Sequence, residues 1–169
     1  MTAGVLIAVT TAACAPARSR GNEEVPPQLT FEKLVYRVYR GAVLTADGTA
    51  ERATFRRDTA DVTAQGVHVR IPATDGREEA RVFATSGSGN LHARRFSAKG
   101  GVRAEQGGEV AVTEEARYSA EDGLVRGDRP IVVRGDRFTM QGPDFTLDPR
   151  SQVLRIEDGA RAVSGDAGK

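Results

Sequence analysis

Tryptophan is missing from these 169 residues, and the aromatic side chains are three tyrosines and six phenylalanines. There is one cysteine, so no disulfide can form within the chain. The two histidines, His68 and His92, stand far apart, with no cysteine or second histidine at metal-ligand spacing, so no metal site is expected. No serine sits in a nucleophile elbow, because Gly87, Ser88 and Gly89 form only part of a G-x-S-x-G pattern. Paired glycines fall between candidate strands rather than ahead of a helix, so no phosphate-cradling loop and no cofactor are expected. No carboxylate pair is set in apolar surroundings that would shift its pKa. The inventory points away from an enzyme.

Charge of one sign is lacking as well. Lysine plus arginine number 24 against 23 aspartates and glutamates, a net charge of +1. That balance offers no field to gather nucleic acid. Apolar runs stay well short of the roughly 18 residues a membrane-spanning helix requires.

Glycine is plentiful, at 19 residues. The opening stretch, residues 4–13, reads GVLIAVTTAA, uncharged and ending in small residues. Such a segment marks export rather than a membrane span. Thr11, Ala12, Ala13 and Cys14 resemble the lipobox of bacterial lipoproteins, which implies a signal peptide over residues 1–13 and a diacylglyceryl group on Cys14. Residues 14–28 carry Pro16, Gly21, Pro26 and Pro27 among scattered charges and read as a tether.

From Leu29 onward, apolar and polar residues alternate, as half-buried strands require. Val67, Val69 and Ile71 share one face of a strand, and His68 and Arg70 share the other. The same scheme recurs at residues 102–104, 110–113, 138–140, 145–148 and 154–157. Turn signals separate them, among them Asp47-Gly48, Ser88-Gly89-Asn90, Gly100-Gly101 and Gly107-Gly108. Residues 31–40 also favour a strand, from their valine and tyrosine content. The fold class expected is all-β, built of short antiparallel strands as a sandwich, jelly roll or solenoid. A loose repeat supports stacked hairpins. An aromatic is followed three residues on by an acid, then by a turn and a second apolar strand, at Phe55/Asp58/Val62, Tyr118/Glu121/Val125 and Phe145/Asp148/Val153.

These features together resemble the LptC type of periplasmic lipopolysaccharide-export protein, with its LptA/OstA-like relatives. The likeness is carried most by residues 115–133, with Tyr118 at a strand end and Pro130-Ile131 opening the next strand, then by residues 138–145 and by Leu154 and Ile156. It spans about residues 29–163 and leaves residues 164–169 as a disordered tail. The resemblance implies a twisted open β-jellyroll with an apolar groove. It implies that lipopolysaccharide is received from an inner-membrane ABC transporter and handed to an LptA-like bridge by pairing of edge strands. It also implies a periplasmic location, with a lipid anchor in the inner membrane favoured.

Candidate groove residues are the apolar members of the alternating strands: Phe55, Val67, Val69, Ile71, Val102, Val112 and Tyr118 in the first part of the chain. Ile131, Val133, Phe138, Met140, Phe145, Leu147 and Ile156 follow in the second part. Each also suits plain core packing, and the two readings overlap, since a lipid-carrying jellyroll has a core that opens. The small residues Ala53, Ala84, Ala93, Ala104 and Ala116 leave room for an acyl chain or let two sheets approach. Arginines at 56–57, 94–95 and 126–129 suit phosphate or a solvated face. The competing function is a structural or adhesive β-repeat lipoprotein that binds a protein partner and no lipid. A soluble bridge-type relative is a third reading.

Overall fold

The computed structural model describes residues 28–74, 76–157 and 159–165. The expected signal peptide, Cys14, the tether up to residue 27 and the tail beyond 165 lie outside the described residues. Twelve antiparallel strands account for most of the rest: β1 (Gln28–Arg40), β2 (Val43–Arg56), β3 (Asp61–Ile71), β4 (Ala80–Asn90), β5 (Arg95–Gln106), β6 (Glu109–Ser119), β7 (Leu124–Gly127), β8 (Ile131–Arg134), β9 (Phe138–Gly142), β10 (Phe145–Asp148), β11 (Val153–Arg155) and β12 (Arg161–Ser164). The first six, at 11 to 14 residues, are longer than the short strands expected.

The strands pair in the order β1-β2-β3-β4-β5-β6 and the ladder then forks. The C-terminal half of β6 pairs with β7, followed by β10 and β11. Its N-terminal half pairs with β8, followed by β9 and β12. One sheet is therefore creased across its strands into two leaves. The first leaf holds residues 34–40, 43–50, 67–71, 80–84, 102–106 and 109–113 with β8, β9 and β12. The second holds residues 28–32, 52–56, 61–65, 86–90, 95–99 and 115–119 with β7, β10 and β11.

The crease is written into the backbone. Lys33 in β1 has φ of 54°, Gly66 in β3 has φ of 60°, and Gly100 and Gly101 in β5 have φ of 79° and 82°. Gly100 and Gly101 stand opposite the single residue Glu114, forming a β-bulge. The Gly100-Gly101 pair is thus a corner inside a strand, not the turn its composition suggests. Asp47-Gly48 and Ser88-Gly89-Asn90 are corrected likewise, since both lie within long strands. The three repeat units do form hairpins, β2–β3, β6–β7 and β10–β11, with Phe55 opposite Val62 and Tyr118 opposite Val125. In the third the register differs, and Asp148 faces Val153. Asp148 opens that turn as expected: its Oδ1 accepts the Arg150 N–H at 2.9 Å and its Oδ2 accepts the Ser151 hydroxyl at 2.8 Å.

Candidate functional site

Residues directly opposite one another in an antiparallel ladder project to the same face, so the register sorts every side chain. Ile131, Val133 and Phe145 are buried together, packed by Ala111, Ala116, Val125, Phe138, Met140, Leu147, Leu154 and Ile156 from both leaves. The face they occupy is the inside. On the first leaf an inward row follows Ala50, Val67, Ala84, Val102, Thr113 and Ile131 from β2 to β8. A parallel row follows Gly48, Val69, Val82, Ala104, Ala111, Val133 and Met140. On the second leaf Phe55, Val62, Gly89, Phe96, Tyr118, Val125, Leu147 and Leu154 form one row. Ala53, Ala64, Gly87, Ala98 and Ala116 form the next.

Of the sequence candidates, Phe55, Val67, Val69, Ile71, Val102, Tyr118, Ile131, Val133, Phe138, Met140, Phe145 and Leu147 project inward in these ladders. Ile156 follows β11 and packs with the inner cluster. Val112 does not: it stands opposite Arg103 and Val132 on the outer face, because Ala111 and Thr113 on either side take the inward positions. Among the small residues, Ala53 and Ala84 are buried, whereas Ala93 lies in the exposed turn between β4 and β5.

Sequence reasoning missed the β1 contribution of Leu29, Phe31, Leu34, Tyr36 and Val38. They project inward by their register with Phe55, Ala53, Ala50, Gly48 and Ala46. Their signal was present but interrupted: positions 29 and 31 alternate, Lys33 slips the phase, and 34, 36 and 38 continue. Also missed were the glycine seats. Tyr36, Phe96 and Phe145 each lie across a glycine directly opposite, at Gly48, Gly89 and Gly127. A Cβ at any of the three would run into the ring.

The inner face is graded from closed to open. Ile131 is 3% exposed and Phe145 6%, but the inward-facing Phe31 is 38% exposed and Leu29 41%. The β8/β10 end is a packed core; the β1 end is an unroofed apolar surface edged by a long strand that pairs with β2 alone among the described residues.

Charge sits outside. On the outer face Arg70 grips Asp47, its Nε donating to Oδ1 at 2.9 Å, and this holds the Asp47 carboxyl below the usual aspartate range. Burial pushes the Tyr36 phenol up, with the Asp47 charge adding to it. Arg56 pairs with Asp58 at 2.9 Å, Arg95 with Glu121 at 2.8 Å and Arg126 with Asp122 at 2.7 Å. One arginine of each basic spot is thus paired with an acid on its own hairpin or the next one. His68 stacks edge-on against Phe83, centroids 4.7 Å apart, on the outer face. No group of three or more metal-ligating side chains occurs among the described residues.

No protein-family model matches the chain, and no curated protein matches it. Among solved structures it is similar to LptH of Pseudomonas aeruginosa, described as the LptA-homologous periplasmic component of the conserved lipopolysaccharide transport device. The TM-score is 0.55 and the identity 13%, over 72% of this chain and 95% of that one. At that identity the likeness is one of fold: this chain is an all-β, open, LptA-like β-jellyroll.

Proposed function

We propose that this protein is a periplasmic component of a lipopolysaccharide transport machinery, carrying the lipid's acyl chains on the inner face of its creased sheet. One observation carries the reading. The inner face is predominantly apolar from β1 to β10 yet roofed at only one end, so it offers dry surface to acyl chains while sugars and phosphates stay in water. The fold shared with LptH supports the same assignment.

Within that machinery we assign the chain the LptC-type position. It takes lipopolysaccharide from the inner-membrane ABC transporter and passes it to an LptA-like bridge through edge-strand pairing. The lipobox-like residues 11–14 support anchorage by acylated Cys14, with the jellyroll held in the periplasm near the inner membrane.

Photo-crosslinking in cells tests the carrier reading, with a photoreactive residue in turn at Phe31, Tyr118 and Phe138 and controls at His68 and Val112. Lipopolysaccharide adducts at the inner positions and none at the outer ones are expected. Adducts to protein alone at the inner positions would replace the carrier with a protein-binding β-sandwich.

A further inference from the structure

The hairpin joining β1 to β2 is built unlike the others. The β2–β3 ladder ends at Asp47 opposite Arg70, so the four residues 43–46 and their β1 partners have no third strand beside them. At about 3.3 Å per residue the hairpin projects roughly 13 Å beyond the sheet. A surface hairpin ordinarily keeps one apolar face for the protein and one polar face for water. Here both faces carry apolar side chains. Val38 and Ala46 continue the inward row, and after the register shift Tyr39 faces Leu44 on the other side, with Val43 next to the turn. Tyr39 is 56% exposed and Val43 61%. Packing onto the jellyroll would cover one face only, so the fold itself leaves this apolar surface in water.

The charge at the tip has one sign. From Lys33 to Ala46 the chain carries Lys33, Arg37 and Arg40 and no acid. The nearest carboxylate, Asp47, is already held by Arg70. Exposed valines and a tyrosine beside arginines are the composition of a segment that lies in the interface of an anionic bilayer. There the phenol and guanidinium groups sit at headgroup level, and the apolar side chains reach just below.

We infer that the β1–β2 hairpin tip inserts shallowly into an anionic membrane surface. The inference is separate from the carrier reading, since a protein-binding sandwich could hold itself to a membrane in the same way.

The test uses the full chain with Cys14→Ser, so that a single new thiol can be labelled with an environment-sensitive fluorophore. One version carries Ala42→Cys at the tip and another His92→Cys in the exposed β4–β5 turn. With vesicles containing phosphatidylglycerol, the label at 42 should shift to the blue and be quenched by a lipid-borne quencher, while the label at 92 stays unchanged. Adding Arg37→Gln and Arg40→Gln should weaken the partitioning read at position 42 about thirtyfold, from about 1 kcal/mol per basic residue. Equal responses at 42 and 92, no response at 42, or an equal response on purely zwitterionic vesicles would overturn the inference. So would burial of the label at 42 without vesicles as protein concentration rises, since a second copy would then be what covers the hairpin.

Discussion

Gly127 and Phe145 face each other across the β7–β10 ladder, and the phenyl ring occupies the space a side chain at 127 would need. The Glu115 carbonyl oxygen lies 2.9 Å from the same point, so backbone crowds it as well. Phe145→Ala empties a buried site and should cost about 3 kcal/mol, the low end for phenylalanine because partners on both leaves can settle inward. Gly127→Ala adds one methyl group where neither ring nor carbonyl yields freely, and should cost about 2 kcal/mol. In the double variant the new methyl enters the space the ring has left. The combined cost should therefore fall short of the sum, about 5 kcal/mol, by at least about 1 kcal/mol. Urea unfolding followed by far-UV circular dichroism measures all four proteins, since no tryptophan is present to report by fluorescence. Costs that add to within about 0.5 kcal/mol would mean that the ring does not rest on the glycine.

The assignment of faces predicts opposite outcomes for one chemical change. Val133→Thr buries a hydroxyl and should cost about 1–3 kcal/mol, whereas Val112→Thr, on the outer face, should cost under about 0.5 kcal/mol, both by urea unfolding. The crease gives a second pair. Gly101→Ala meets no atom within 4 Å and should cost only the left-handed backbone term of about 1 kcal/mol, while Gly100→Ala also strikes the Thr85 Cβ at 2.8 Å and should cost more. Equal costs would show that strain alone governs the corner. Acid should destabilise the fold: the carboxyls of Asp47, Asp61, Asp122, Asp128 and Asp148 are held below their ordinary value when folded. The stability they contribute is complete above the unfolded aspartate pKa near 4 and is lost as pH falls through the lower folded values. Asp47→Asn should flatten the decline seen in acid unfolding, and an unchanged slope would remove Asp47 from the group responsible.

Alternation along the chain was enough to read an all-β fold, the inward set from Phe55 to Leu147 and the β2–β3 and β6–β7 hairpins. What alternation alone could not convey is that the inward phase slips within a strand. In β3 the inward positions are 62 and 64, then 67, 69 and 71; in β4 they are 80, 82 and 84, then 87 and 89. In β6 they are 111 and 113, then 116 and 118. A strand that turns a corner must advance by one residue to keep the same surface inside. A run of 11 residues with one slip therefore reads from composition as two short strands or as a strand with an internal turn. Glycine compounded the misreading. Gly48 and Gly89 signal turns by residue type, yet each is where an aromatic from a neighbouring strand needs bare backbone. Val112 failed for a related reason: in residues 110–113 apolar character continues on both faces, so it no longer tells inside from outside.

The same corner explains why the inner face closes at one end. From β1 to β6 every strand passes through the crease unbroken, and the bend fixes the angle between the leaves. Beyond β6 the strands are interrupted at the crease instead, by residues 128–130 between β7 and β8 and by Pro143 and Asp144 between β9 and β10. Freed of a continuous backbone, β8 and β10 can settle on each other, and there Ile131, Val133 and Phe145 become buried. Protection from hydrogen exchange should follow that division, because exchange through local opening is fastest where few apolar contacts must be broken. The amides of β6, β8 and β10 are expected to exchange last and those of β1 first, with the protection of β2 and β3 falling between. Protection of β1 equal to that of β8 in a dilute, monomeric sample would show that the open end closes in solution, and the unroofed apolar face would no longer support a carrier.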